Sequence, residues 1–460
     1  MGNKKNAWLK FDNTKKEEIF SFCEGYKKYI SDCKTERESI KEAISLAESK
    51  GYRDLKNVIS ARKSLKAGDK VYYNNMDKSL ALFLIGSESI ESGMRIIGSH
   101  VDSPRLDLKP NPLYEDSELS LMETHYYGGV KKYQWVTIPL ALHGVVVKKD
   151  GTKIDVVVGE EETDPVVMVS DLLVHLASEQ QQKKATEVIA GEDLNILVGS
   201  MPLEGEEKEA VKANILKLLK EKYDFEEEDF MSAEIEIVPA GKARDLGLDR
   251  SMVAGYGHDD RICAYTSLLA LLETESTKKT SVVLLVDKEE VGSIGATGMQ
   301  SRFFENAVAE LMDRVGEYSE LKLRRALANS KMLSSDVTAA FDPNYAGAYE
   351  KKNSAFFGKG LAFAKYTGAR GKSGCNDANA EFVAWLRNVM DENDVAYQMA
   401  ELGKVDQGGG GTIAYILAEY GMEVIDCGVA LQNMHAPWEV ASKVDIFETM
   451  RGYKAFLMAE

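Results

Sequence analysis

The chain is short of cysteine, histidine, positive charge and long apolar runs, and each shortage narrows what it can be. Only five cysteines occur: Cys23, Cys33, Cys263, Cys375 and Cys427. The number is odd, no CxxC pair is present and none sits in a small stapled scaffold. They read as reduced cytosolic thiols rather than a disulfide framework, so a cytoplasmic location is expected. Lys and Arg number 57 against 74 Asp and Glu, a formal net charge of −17. Such a chain repels phosphate backbones, and no basic stripe offsets the repulsion, which excludes nucleic acid as a partner. The plain consequence of the charge is solubility. No apolar run reaches the roughly 18 residues of a spanning helix, so no membrane partner is expected. The opening MGNKKNAWLKFDNTKKEE lacks the apolar core of a secretory signal. A lipid on Gly2 would want Ser or Thr where Asn6 and Ala7 stand. Repeats and low-complexity linkers are also missing.

What is there suffices for a large core. With 460 residues and 44% hydrophobic content, more than one domain is expected. Residues 14–50 read as two charged amphipathic helices. VYYNN and KSLALFLIG read as strands across a turn near Asn75, and MRIIGSH, ending at His100, as a third. From about 106 to 245 the texture changes to short β-rich runs, YQWVTIPLALHGVVVKKDGTKIDVVVG and AEIEIVPA. Around them lies a charged insert, EGEEKEAVKANILKLLKEKYDFEEED, with one amphipathic helix. Residues 106–245 therefore read as a β-rich domain inserted into a larger one made of 1–105 and 246–460. In the larger one, strands such as SVVLLVD and GMEVIDCG alternate with helices such as RICAYTSLLALLE and ANAEFVAWLRNVMDE. PWEVASKVDIFETMRGYKAFLMA reads as a closing helix with Pro437 at its start. The alternation predicts an α/β fold, a three-layer αβα sandwich with helices on both faces of a sheet.

The informative feature is where the polar residues fall. Several apolar strands end in bursts of acids and histidine, and in an open α/β sheet ligands bind beyond the carboxyl ends of strands. The bursts are IIGSHVDSPRL, GYGHDDRICA, VVLLVDKEEVGS, KMLSSDVTAAFDPNY and LQNMHAPWE. Three of the chain's six histidines, His100, His258 and His435, fall in them. A lone histidine is more often core or surface than ligand, and an acidic strand end is often a solvated turn. The combined pattern is harder to dismiss, and mixed imidazole and carboxylate sets suit zinc, manganese or cobalt. His100 and Asp102 lie two apart, on one face of a strand, so Asp102 can accept the second ring N–H of a ligating His100. Adjacent Glu289 and Glu290 send two carboxylates in different directions, one for a metal and one for an attacking water.

SHVDSPRL, GHDDR, DKEEVGS, SSD and NMHAP, in this order and spacing, resemble the M18 family of metalloaminopeptidases, the aspartyl aminopeptidase family. The resemblance covers nearly the whole chain, including NDANAE near Asn376. It implies a hydrolase that removes N-terminal residues, acidic ones among them, from peptides. It also implies two divalent ions per subunit, zinc first, with cobalt or manganese as alternatives. By motif the ligands would be His100, Asp259, Glu290, Asp336 and His435, with Asp259 bridging the ions. Glu289 would be the general base, and Asp102 the partner of His100. In the family a histidine of the inserted domain reaches a neighbouring subunit's active site, which would put His175 of DLLVHLA near substrate or metal. The residues alone read His175 as lying on the apolar face of a helix. Acidic substrates would meet a basic side chain in YTGARGKSGCNDANAE, where Arg370 and Lys372 are both open. Asp260–Arg261 follows the bridging position where some members have Asn, which leaves the ligand role intact. Members form closed shells, commonly dodecamers built from dimers. A homo-oligomer is therefore implied, with the inserted domain as a barrel-like dimerisation or lid element.

Other features invite other readings. GARGKS lacks the earlier glycine of a phosphate loop, since Tyr366 stands in its place. The run Gly408–Gly411 reads either as a flexible turn or as backbone that only glycine lets approach a substrate peptide. Gly409 and Gly410 lie at its centre, ahead of a helix near Thr412. His258 would point away from Asp259 in an extended stretch and is left out of the ligand set. Neither Ser293 nor Ser335 lies in a GxSxG elbow. Two rival functions remain: a two-metal deacylase or carboxypeptidase-type amidohydrolase, and a non-catalytic cargo or scaffold protein. The last has no physical reason to keep a costly carboxylate cluster.

Overall fold

The computed structural model describes residues 5–368 and 370–460; Gly2, and Ala369 within the GARGKS stretch, lie outside them. The fold is mixed α/β, with three sheets among the described residues. Internal contacts divide the chain into two units. One comprises Met1–Asp102, Ala243–Met434 and Glu439–Glu460, the other Ser103–Lys242 and His435–Trp438.

The first unit is organised by a nine-stranded sheet. From edge to edge its strands are Arg53–Asp54, Lys70–Asn75, Ser79–Leu84, Thr280–Val286, Met94–His100, Lys331–Ser335, Glu423–Gly428, Leu361–Ala364 and Tyr397–Met399. Ser79–Leu84, Thr280–Val286 and Met94–His100 are buried along their whole length, as the runs LALFL and VVLLV require of strands covered on both faces. Alternate side chains feed two cores. Ile97, Leu285, Leu333 and Ile425 join helices Asn13–Asp32, Glu36–Ser49, His258–Leu272, Ala380–Glu392 and Lys443–Met458. Ile96, Leu284, Met332 and Val424 join helices Leu55–Ser60, Phe303–Arg314, Glu320–Ala328 and Ala414–Ala418. Each such aliphatic side chain contributes about 1.5–3 kcal/mol on burial.

A smaller sheet of the same unit runs Arg244–Leu246, Met252–Gly255, Glu439–Ser442, Ala430–Gln432, Thr338–Ala339. It corrects the reading of the C-terminus. The closing helix starts at Lys443, not at Pro437, because Glu439–Ser442 is a buried strand paired antiparallel with Met252–Gly255. A partner so distant in sequence leaves no local trace.

The second unit carries a seven-stranded antiparallel sheet: Lys153–Val158, Leu140–Val147, Ala233–Pro239, Arg105–Asp116, Leu119–Tyr127, Ile196–Gly199, Met168–Val169. Strand Arg105–Asp116 shifts register against its neighbour between Leu108 and Leu113. Pro110 and Pro112 fall in that gap and have no N–H to give the ladder. The charged insert forms one helix, Ala210–Tyr223.

Candidate metal centre

Parallel strands of the central sheet bring three of the polar bursts, those of His100, Glu289 and Asp336, to one end of the sheet. Val286 pairs with His100, and Ser334 pairs with Gly98, so Asp336, one residue past its strand, comes level with His100. Side chains alternate along a strand. His100 and Asp336 therefore leave the sheet by the face that holds Ile96 and Met332.

Beyond Val286 the chain passes through Lys288, at φ 68°, into a single 3-10 turn, Glu289–Val291. Asp102 fixes that turn. Its fully buried carboxylate accepts the N–H groups of Glu289 and Glu290, each at 3.2 Å. The same carboxylate lies 3.4 Å from His100 Nδ1, while the Asp102 carbonyl oxygen lies 2.9 Å from that nitrogen. Asp102 thus orients the imidazole, chiefly through its backbone, and also the pair of glutamates.

Asp259 and Asp260 arrive at the start of helix His258–Leu272, joined by a cis peptide, and neither has helical φ/ψ. Because an extended Asp259 is followed by an Asp260 that is not extended, two adjacent side chains both turn to His100. Asp259 Oδ1 lies 3.2 Å from His100 Nε2, and Asp260 Oδ2 accepts the His100 backbone N–H at 3.3 Å. The Asp259 N–H in turn donates to Oε2 of Glu439 at 3.0 Å. Asp260 and the buried Glu439 carry no role in the sequence reading. The signal was available, since Glu439 closes the LQNMHAPWE burst.

The result is a cluster built around one imidazole. Ligand atoms of His100, Asp259 and Glu290 lie within 4.8 Å of one another, and so do those of His100, Asp260 and Asp336. Oε2 of Glu289 and Oδ1 of Asp336 stand 3.9 and 3.8 Å from His100 Nε2. Burial opposes the charge of His100. Hydrogen bonds to Asp102 and Asp259 and the charges of Asp336 and Glu289 outweigh it, holding the ring well above the ordinary imidazole range. Burial first, against the pull of His100, and then the charges of Glu289, Asp259 and Asp426 hold the Asp336 carboxyl well above the carboxylate range. Burial, and next the charge of Asp336, lift Asp260 likewise. Oδ1 of Asp260 is buried, and no described residue hydrogen-bonds to it. Acids that raise one another's pKa around an imidazole have the chemistry of a divalent-cation site, since the cation would relieve the repulsion.

The two groups do not include the remaining candidates. His435 groups with the second unit, where its Nδ1 is 2.9 Å from the Gly129 carbonyl oxygen and its backbone has φ 65°. His175 is exposed on a single 3-10 turn, Val174–Leu176, which is too short to have the helical face expected of it; Leu172, Leu173, Val174 and Leu176 are exposed with it. His258 is a core histidine. Its Nδ1 lies 2.5 Å from the Tyr26 hydroxyl, and burial lowers its pKa to about 3. Arg370, Lys372 and Gly409 share a cavity of about 180 Å³ with Tyr366 and Glu401, and the Gly410 N–H donates to the Thr367 carbonyl oxygen at its wall. Lys372 is committed: its Nζ is 2.8 Å from Asp377 Oδ2 and lies over the Tyr366 ring. Arg370 is exposed and makes no ion pair among the described residues.

Known proteins point to the same chemistry. The model of a family described as Aminopeptidase I zinc metalloprotease (M18) matches residues 29–457. The chain is 66% identical, over 98% of each chain, to a probable M18 family aminopeptidase 1 of Clostridium acetobutylicum. The crystal structure of an M18 family aminopeptidase from Thermotoga maritima superimposes with a TM-score of 0.95, at 45% identity and over 99% of each chain. The mApe1 dodecamer of S. cerevisiae shares the fold, with a TM-score of 0.77 at 20% identity over 95% of this chain and 96% of that one. No helix among the described residues is long and apolar enough to cross a membrane.

Proposed function

The chain belongs to the M18 family of zinc metalloproteases and is an aminopeptidase, and from that premise we propose a two-ion mechanism for it. The observation that carries the reading is the pair of three-residue groups that share His100. His100, Asp259, Glu290 and Asp336 would hold the ions, and the motif order would add His435 as a further ligand and give Asp259 to both. Zinc is the first candidate, with cobalt and manganese as alternatives. When bound, two such ions supply Lewis acidity at a peptide carbonyl and lower the pKa of a water.

The remaining work falls to the chain. Glu289 lies beside His100 but outside both groups. It takes a proton from the attacking water and returns it to the leaving amine. Asp102 holds the backbone of both glutamates, so base and ligand keep different directions. The cavity beside Gly409 and Gly410 receives the N-terminal side chain. Arg370 is the cation free to meet an acidic one, because Lys372 is already paired with Asp377. His175 meets substrate or metal in a neighbouring copy of the chain, and the assembly is a homo-oligomer, as in the mApe1 dodecamer. Residues 106–245 act as the inserted domain of that assembly, and its location is cytoplasmic.

The test is a panel of aminoacyl fluorophores on protein stripped of metal and reloaded with zinc, manganese or cobalt. Free-amine substrates should be cleaved and their N-acetylated forms should not; the reverse pattern would favour a deacylase. Arg370→Ala should raise KM for Asp and Glu substrates about tenfold, the loss of one charged contact. Lys372→Ala should leave that preference in place.

A further inference from the structure

The run Gly408–Gly411 has no side chains to hold it, yet it is pinned at three points. At its start the Gly408 N–H donates to the Lys404 carbonyl oxygen at 2.7 Å, and a Cβ on Gly408 would overlap the Leu402 carbonyl oxygen. At its centre the Gly410 N–H donates to the Thr367 carbonyl oxygen at 3.1 Å, tying the run to the loop of Arg370 and Lys372. Just past its end the Thr412 hydroxyl donates to Asp426 Oδ1 at 2.6 Å and accepts the Ala414 N–H at 3.2 Å.

Of the three, the last reaches the central sheet. Asp426 is buried in strand Glu423–Gly428 and pairs with Ser334, two residues before Asp336. The next residue, Cys427, gives its carbonyl oxygen to the Asp336 N–H at 2.8 Å. Strand alternation sends Asp426 to the same face as Asp336 and His100. Its charge is near enough to bear on the Asp336 carboxyl. One dipeptide, Asp426–Cys427, therefore holds both the backbone of a ligand candidate and the end of the glycine run.

We propose that the Thr412–Asp426 hydrogen bond is a latch that sets the glycine-lined cavity at its working distance from the metal cluster, making Thr412 and Asp426 positioning residues for the peptide's N-terminal residue. The proposal rests on the aminopeptidase reading above. Losing the latch frees the run at its sheet end, while His100, Asp259, Glu290 and Asp336 keep their own supports. Substrate binding is weakened and the metals stay.

The experiment uses full-length, zinc-loaded protein with aminoacyl fluorophores. Thr412→Val, which keeps shape but loses the hydroxyl, should raise KM about tenfold, as expected for one hydrogen bond to a buried acid. Its kcat should stay within about twofold and its bound zinc should be unchanged. Thr412→Ser should restore the wild-type KM. A folded Thr412→Val with unchanged KM, or one that loses zinc and kcat instead, overturns the latch. If Thr412→Val and Thr412→Ala both lose their circular dichroism, the hydroxyl serves folding and the latch is again overturned. A zinc-loaded wild type that cleaves nothing would sink the aminopeptidase reading and the latch with it; a cleaving wild type isolates the latch.

Discussion

Asp102→Asn is the substitution in which this geometry makes its sharpest demand. The native carboxylate gives one oxygen to the Glu289 N–H and the other to the Glu290 N–H, each at 3.2 Å, with no solvent exposure. Asparagine keeps one acceptor and puts an NH2 donor where the other stood, so one of the two N–H groups faces a donor. A hydrogen bond to a charged group contributes about 1.5–3 kcal/mol, and a buried N–H left unmatched costs about 1–3 kcal/mol. The two together, roughly 2.5–6 kcal/mol, fall on the turn that carries both glutamates. The carboxylate beside His100 Nδ1 is neutralised as well, and removing such support typically weakens metal binding by about 10–100-fold. Zinc competition against a fluorescent chelator should show that weakening. At saturating zinc, kcat should remain depressed, because the base has moved with its turn. Asp102→Ala, with neither acceptor, should be worse on both counts. A folded Asp102→Asn with wild-type zinc affinity and wild-type kcat would refute the claim that this carboxylate holds the glutamates.

Three further outcomes are expected. Glu289→Gln should lower kcat by about 10²–10⁴ while retaining the metal measured by atomic absorption; loss of metal would make Glu289 a ligand instead of the base. The raised pKa values of His100, Asp260 and Asp336 mean that the metal-free folded chain binds protons more tightly than the unfolded one. Its stability therefore falls as pH rises above about 4 for the acids and about 6.5 for the ring, and metal displaces those protons. The rise in Tm on adding zinc, followed by differential scanning fluorimetry, should grow with pH, and a rise that shrinks would contradict the assignment. In Gly428→Ala the new Cβ would overlap the Asp336 carbonyl oxygen and come 3.0 Å from Cys263 Sγ. Overpacking of about 1–3 kcal/mol should displace Asp336, and unchanged zinc affinity in that variant would show that the strand end can give way.

What could be read from the sequence was whatever is written locally. A strand ending in a polar burst is one continuous string, so SHVDSPRL, DKEEVGS and SSD each announced a chemical group at a sheet edge before any fold was known. Aligning those edges needed only the parallel register that alternating strands and helices imply. Residues whose role depends on distant partners were opaque. Alternation keeps His258 out of the ligand set, but the partner that holds its ring nitrogen, Tyr26, is far away in the chain and leaves no local trace. Glu439–Ser442 passed as the head of a helix because its strand partner, Met252–Gly255, is far upstream.

The same distinction explains Asp260. A period-two argument separates neighbouring side chains in a strand, but of the two only Asp259 (φ −79°, ψ 108°) is extended, while Asp260 (φ −114°, ψ 23°) is neither extended nor helical. Both carboxylates consequently turn inward, against the mutual repulsion that lifts Asp260 and Asp336. Fixed supports oppose that repulsion: Glu439 on the Asp259 N–H, the His100 N–H on Asp260, and the Cys427 carbonyl on the Asp336 N–H. Three backbone anchors on three acids are what a site needs if its charges are to stay together before a cation arrives. The metal-free cluster should accordingly be preformed rather than assembled by the ion.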